Sequence, residues 1–296
     1  MGARPQADRD RAVPSAGSPA ASGPDGVDLG HLLAVVLDVD GTLALTDHRV
    51  SDRALAALRQ LQRSGVAPII VTGRGEAEAL RICRDAGITA PTISCNGALT
   101  TDPVTGHRLR QVSVEPEMLA AAAHFSQRHG VELLLWTPDG VHADHASEAT
   151  RLLTEINQDP VIISPLAQLA ATEVVKVMIT ASPELLDRVA PAAACEMPLL
   201  ERSMGWFLEA THPAATKWQS LQRVLSDMGI EPAACAGIAD GDNDLEWLAH
   251  VGVAIAVANA RPAVLPLAAY TIGPNAADSV AALLENWSAR RIGSAG

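Results

Sequence analysis

The feature that most constrains this chain is the stretch Leu32-Leu33-Ala-Val-Val-Leu-Asp38-Val-Asp40-Gly-Thr-Leu43. An apolar run of strand length stops at two aspartates one residue apart, and Gly-Thr follows. Alternate residues of a strand share a face, but past the strand's end the chain can turn both carboxylates toward one point. Acids at the tip of a buried strand are costly unless a cation or a reaction uses them. The pattern recurs in Ala234-Cys-Ala-Gly-Ile-Ala-Asp240-Gly-Asp242-Asn243-Asp244, where three acids close a second apolar run. Two acid-tipped strands in one chain point to a shared divalent-metal site for phosphate chemistry.

The first of these runs opens an alternating series. A strand is expected over 33–37, then a helix capped by Ser51 with Leu55, Leu58 and Leu61 at helical spacing and Gly65 at its stop. A second strand over 67–72 leads through Gly73-Arg74-Gly75 into a helix ending near Gly87, and 91–95 reads as a third strand ending at Asn96-Gly97. Strands alternating with helices imply a parallel sheet, and ligands of such sheets bind beyond the carboxyl ends of the strands. Asp38, Thr72 and Asn96 all sit there. From about residue 100 the rhythm changes: strands over 108–114, 131–136, 174–180 and 206–210, helices over 115–128 and 183–194. The parallel-type rhythm returns with a helix over 218–228, a strand over 234–239, a helix over 245–251 and a strand over 253–257. The expected organisation is a discontinuous core of 30–98 and 212–296, an inserted α/β domain of 99–211, and a disordered tail of 1–29, which is rich in Ala, Pro, Gly and Ser.

Composition narrows the function. A chain of 296 residues buries domain-sized cores with ease. Its net charge of −12 argues against nucleic acid as a partner and gives a phosphorylated substrate no long-range attraction, so a phosphate site must be local and metal-assisted. No apolar run approaches the roughly 18–20 residues that cross a bilayer. The N-terminus lacks a signal-peptide core, and Gln6 stands where myristoylation wants Ser or Thr. Cys83, Cys95, Cys195 and Cys235 form no C-x-x-C pair, and free thiols in the cytoplasm are the simplest reading. Nothing in the sequence sets an oligomeric state.

Magnesium prefers oxygen ligands, and an acid from each strand tip can hold it against a phosphoryl group. Asp38 is then placed to attack phosphorus and form an aspartyl-phosphate, and Asp40 to protonate the leaving oxygen and later activate water. An EF-hand is excluded, since Leu245 and Val251 stand where that loop needs Gly and Glu. Thr72 and the Gly73 amide can donate to phosphate oxygens at a helix start. Arg74 can hold a substrate anion or lie solvated on the surface. Lys217, at the start of a helix, is poorly placed for the helix dipole, so it is either exposed or has an anionic partner. His142, His145 and Asp144 read as loop residues, and the five tryptophans mainly as packing.

Together these residues resemble the haloacid dehalogenase superfamily, most closely its Cof-like sugar-phosphatase branch with a large α/β cap. Asp38-Val-Asp40-Gly-Thr is similar to the family's first motif, Thr72-Gly73-Arg74 to the second and Asp240-Gly-Asp-Asn243-Asp244 to the fourth; Lys217 falls where the third motif's lysine is expected. Ser94-Cys-Asn96-Gly97-Ala and Val257-Ala-Asn259-Ala resemble flanking segments, with Asn96 a candidate substrate contact. The resemblance implies a Rossmann-like parallel-sheet core and Mg²⁺ held by the Asp38 carboxylate, the Asp40 backbone carbonyl and Asp240, with Asp244 supporting from nearby. It also implies phosphoryl contacts from the Val39 amide, Thr72, Gly73, Lys217 and Asn243. Trp218 and Ala239 stand where the family usually has glycine, and Trp218 is expected to alter the pocket's shape. The resulting expectation is a Mg²⁺-dependent phosphomonoester hydrolase acting on a small phosphorylated metabolite. A phosphotransferase or phosphomutase, and a non-catalytic phosphate-sensing module, stand as alternatives. Substrate choice falls to the cap, where Glu173, Lys176 and His142 are the candidates.

Overall fold

The computed structural model describes residues 31–294; the segment 1–29, expected to be a disordered tail, lies outside the described residues. β1 (Ala34–Leu37) is buried throughout. α1 (Asp52–Arg63) starts where the Ser51 hydroxyl accepts the Ala54 amide, 2.9 Å away, and buries Ala54, Ala57, Leu58 and Leu61 on one face. β2 (Ala67–Ile70) follows, then α2 (Glu76–Ala86), which stops at Gly87 in the left-handed region. β3 (Thr92–Ser94) was expected as a third strand of the parallel sheet. It joins that sheet only through a single parallel bridge, Val71 to Ile93. The chain then reverses, because Cys95, Asn96 and Gly97 all take positive φ.

The reversal sends β3 into a small antiparallel sheet with β4 (Leu99–Thr101) and β5 (Arg108–Gln111). Beyond it lie α3 (Pro116–His129), β6 (Glu132–Thr137), β7 (Gly140–Ala143), α4 (Glu148–Asn157), β8 (Ile162–Ile163), β9 (Lys176–Thr180), α5 (Pro183–Glu196), β10 (Glu201–Met204) and β11 (Phe207–Thr211). Their strands form one sheet in the order β10-β11-β9-β6-β7-β8. Strand alternation divides its side chains. Leu135, Val177, Ile179 and Leu208 pack in one cluster with residues of α3 and α5. Leu134, Trp136, Met178 and Phe207 pack in another with Ala149, Leu153 and Ile156 of α4.

The chain returns through α6 (Lys217–Asp227), β12 (Cys235–Ala239), α7 (Leu245–Leu248), β13 (Val253–Val257), β14 (Tyr270–Ile272) and α8 (Ser279–Ser294). The first sheet is thereby completed, all parallel, in the order β14-β13-β12-β1-β2. The fold is α/β, a parallel-sheet core carrying a cap. Register fixes what matters most: Leu37 lies opposite both Ile238 and Ile70, so β1, β12 and β2 end at one level. Among the described residues no helix is long and apolar enough to cross a membrane.

Several elements lie outside the sequence expectation: β4, β7, α4, β8, β10, β14 and α8. The helices did leave a trace. Val280, Ala281, Leu284 and Trp287 of α8 are buried at helical spacing, as are Ala149, Leu153 and Ile156 of α4. The short strands carry too few residues for an alternating pattern to register.

Candidate active site

Three parallel strands ending together place their next residues in one cleft. Asp38 follows β1, and its amide donates to the Ile238 carbonyl, so pairing runs up to the acid itself. Val39–Leu43 forms a wide turn closed by the Ala44 amide on the Val39 carbonyl, 2.8 Å. Gly41 takes φ +77° there, and a Cβ on it would stand 2.3 Å from an Asp240 oxygen. Glycine is required at this point both for the backbone and for the carboxylate it faces. Asn259 braces the turn, donating to the Gly41 carbonyl at 2.7 Å and accepting the Asn275 amide at 2.9 Å.

The Asp38, Asp240 and Asp244 carboxylates each present an oxygen within 4.8 Å of the others. Lys217 Nζ donates to Asp38 at 2.6 Å and to Asp244 at 2.7 Å. Its buried position with two anionic partners decides between the alternatives the sequence left open. Burial opposes the lysine's charge, but Asp244 and Asp38 outweigh it and raise its pKa. Asp244 is further fixed by Trp247 Nε1 at 2.8 Å and the Gly241 amide at 3.3 Å. Thr42 donates to Asp240 at 2.7 Å. Burial raises the Asp38 carboxyl well above the usual range, helped by Asp244 and Asp240 and opposed by Lys217. Asp240 is pushed up to about 6, first by burial, with Asp244 and Asp40 adding and Thr42 and Lys217 opposing. One ammonium facing three carboxylates leaves a net negative, all-oxygen cluster. A hard divalent cation of the Mg²⁺ type suits that donor set.

Asp40 points into a different field. Arg74 clamps it with Nε at 2.9 Å and Nη2 at 2.6 Å, and His48 Nδ1 lies 3.6 Å away. Burial pushes this carboxyl up, but His48 and Arg74 prevail and hold it well below the usual range. The Arg74 guanidinium is itself buried, and also binds Glu78 at 2.9 Å and the His48 carbonyl at 2.8 Å. The sequence reading offered Arg74 as a substrate contact or a surface residue. It is not solvated: it is buried at the cavity wall, with four of its five N–H donors on protein partners.

Thr72 is buried, and its hydroxyl accepts the Arg74 amide at 3.0 Å. Asn96 accepts from Asn243 at 3.4 Å, and a Cβ at Gly73 would stand 2.9 Å from Asn96 Oδ1. Gly97, at φ +100°, lies so close to α6 that a Cβ would stand 2.2 Å from the Thr216 carbonyl. Ser220 and Arg110 bind the Gly97 carbonyl from above, at 2.7 Å and 3.3 Å. Asp38, Asp40, Gly73, Arg74, Asn96, Lys217, Asp240 and Asn243 all line one cavity of about 930 Å³ between core and cap. Val39, Thr72 and Asp244 are buried beside it. Trp218 does not line it, contrary to expectation, and stacks instead on His250 with ring centroids 4.1 Å apart. His142 is held by Thr137 and Ser164, at 3.1 Å and 3.0 Å.

Sequence reasoning passed over Thr42, His48, Trp136, Trp247 and Glu209. Thr42 carried a signal as part of the Asp-Gly-Thr turn. A lone His, Trp or Glu carries none until folding gives it a neighbour. From the cap, Lys176 Nζ binds Glu209 at 2.8 Å and the Gly73 carbonyl at 3.2 Å, and lies 3.5 Å from the centroid of the Trp136 ring.

A family model described as haloacid dehalogenase-like hydrolase matches residues 35–284. The HMP-PP phosphatase of Cronobacter sakazakii is 25% identical over 256 residues, covering 84% of this chain and 93% of that protein. A haloacid dehalogenase-like hydrolase from Bacteroides thetaiotaomicron has a solved structure similar to this one, with TM-score 0.78, 21% identity and coverage of 86% and 98%. The solved structure of the HAD subclass IIB sugar phosphatase BT4131 gives TM-score 0.72 at 21% identity, covering 86% of this chain and 98% of that one.

Proposed function

The chain belongs to the haloacid dehalogenase-like hydrolases, and on that premise we propose that it is a Mg²⁺-dependent phosphatase of a small, sugar phosphate-like metabolite. One observation carries the reading: Asp38, Asp240 and Asp244 converge within 4.8 Å at the ends of adjacent strands, with Lys217 bonded to two of them. We assign 30–98 and 212–296 to the catalytic core, 99–211 to the cap, and the protein to the cytoplasm, where its four free cysteines fit.

The Asp38 and Asp240 carboxylates and the Asp40 carbonyl would hold the cation, with Asp244 supporting. When bound, the cation supplies the positive field that lets a carboxylate approach an anionic phosphoryl group. Lys217 opposes the rise that burial imposes on the Asp38 carboxyl, and a bound cation would favour its ionised form further. An Asp38 oxygen bonds to phosphorus as the ester's P–O bond breaks, and Asp40, after taking a proton from solvent in the substrate complex, passes it to the departing alkoxide. Water then attacks the aspartyl-phosphate, Asp40 takes the water's proton, and phosphate leaves. The Val39 and Gly73 amides, Thr72, Lys217 and Asn243 hold the phosphoryl oxygens. Arg74 acts through Asp40, fixing its carboxylate in place.

Phosphate release from sugar phosphates, nucleotides and pyridoxal phosphate, with Mg²⁺ or EDTA, tests this. Release is expected to need Mg²⁺ and to vanish in Asp38→Asn with the fold intact. Near-normal release by that variant would remove Asp38 from the role of nucleophile.

A further inference from the structure

Glycine inside a strand weakens it and often marks a place where another group approaches closely. Gly237 is the middle residue of β12, opposite Val36 and Ala254 on the neighbouring strands. Its φ lies outside the left-handed region, so room rather than backbone conformation calls for glycine here. A Cβ would stand 2.4 Å from Trp247 Cζ3, 3.1 Å from Val251 Cγ2 and 3.2 Å from Leu248 Cδ2. Trp247, on α7, is fully buried. The strand that ends at Asp240 thus gives up a side chain, and an indole takes the space.

A leucine or phenylalanine would pack there with no polar atom to satisfy. The indole N–H instead donates to Asp244 Oδ1 at 2.8 Å, the same oxygen that Lys217 Nζ reaches at 2.7 Å. The other Asp244 oxygen receives the Gly241 amide at 3.3 Å, the longest of the three bonds. Lys217 in turn donates to Asp38 at 2.6 Å. An unbroken chain of hydrogen bonds therefore runs from Trp247 through Asp244 and Lys217 to Asp38. Without the indole, Asp244 Oδ1 would be held by Lys217 alone, and the carboxylate could turn about its weaker bond to Gly241.

We propose that Trp247 is a positioning residue of the site: through Asp244 it sets the seat of Lys217 beside Asp38, and Gly237 is the clearance that lets the indole reach. This rests on the phosphatase reading. Partners that bind the ligands of a metal site from outside orient them, and losing one typically costs about 10- to 100-fold in metal affinity or activity. Trp247 does so with a neutral donor, which steadies Asp244 and leaves the negative charge of the cluster intact.

Two variants separate positioning from packing. Trp247→Phe removes the N–H and leaves a smaller ring; adding Gly237→Ala returns a methyl to the space the indole vacates. Two quantities are read on each: phosphate release from ribose 5-phosphate with saturating Mg²⁺, and the Mg²⁺ concentration that gives half of the metal-induced rise in melting temperature. Both variants are expected to lose roughly 10-fold in kcat with little change in KM, and to need about 10-fold more Mg²⁺ for the half-maximal shift. Either loss persisting in the double variant carries the proposal, since its core is filled and it lacks only the donor. Recovery of both quantities to wild-type values in the double variant, or no loss in Trp247→Phe, overturns it and leaves Trp247 a packing residue. A wild type that shows a Mg²⁺ shift but no release overturns the phosphatase reading, and the Mg²⁺ midpoints then decide on Trp247 alone. A wild type that shows neither overturns both.

Discussion

Asp38 and Asp40 stand two residues apart and meet opposite fields. Asp38 is buried beside two other carboxylates, and only Lys217 opposes the rise in its pKa. Asp40 is held ionised by His48 and Arg74. In the proposed mechanism it would rest as the base of the second step, and would have to take a proton from solvent or a monoanionic substrate to serve as the acid of the first. The raised groups set a pH dependence. Asp240 titrates near 6 when folded against roughly 3.9 unfolded, so the folded state binds the proton more tightly. Its contribution is fully present below the unfolded value and is lost as pH rises through about 6. Protein in EDTA is expected to melt at a higher temperature at pH 5 than at pH 7.5, with a smaller difference in Asp240→Asn. Added Mg²⁺ should raise the melting temperature at pH 7.5. Equal slopes for wild type and variant would show that Asp240 is not the group responsible. At this scale Asp38 and Asp240 were legible because each interrupts an apolar run. Thr42 was legible only as part of the Asp-Gly-Thr turn, since it meets its acid 198 positions away and no local pattern records such a distance.

Elements explain why the site assembles. The level ends of β1, β2 and β12 were legible as three apolar runs, each closed by a polar residue. The order in which they pair was not, since adjacency in a sheet leaves no mark within either strand. The third expected strand misled for a physical reason. Its residues suit a buried strand, yet the positive φ values at 95–97 turn it out of the sheet after one bridge. That turn supports the site from below. Gly97 packs against the first residues of α6, where Lys217 begins the helix. Gly97→Ala is expected to push the Thr216 carbonyl aside and displace Lys217. A non-glycine residue at left-handed φ costs about 1–2 kcal/mol before any clash, so denaturant unfolding should show at least that loss, with phosphate release falling further than stability alone explains. Unaltered stability and turnover would mean that α6 gives way freely at its first turn.

Across the whole molecule, the cap sheet turns one face, with Trp136 and Lys176, toward the cavity and buries the other under α3 and α5. The sequence announced that a second α/β layer exists. It hid the sheet's order, because β8 spans two residues and β10 and β7 four each. Core and cap meet at the Gly73 turn through Lys176; if that turn binds phosphate as proposed, Lys176→Met is expected to weaken inhibition by inorganic phosphate roughly 3- to 10-fold. An unchanged inhibition constant would make that contact one of packing alone. The Gly73 carbonyl that Lys176 binds shares its peptide unit with the Arg74 amide, and that amide donates to the Thr72 hydroxyl. A donor placed on one end of a peptide polarises the other. The ammonium of the cap thus sharpens the acidity of a hydroxyl two hydrogen bonds away, and Thr72 can donate its own proton more strongly while the two domains touch.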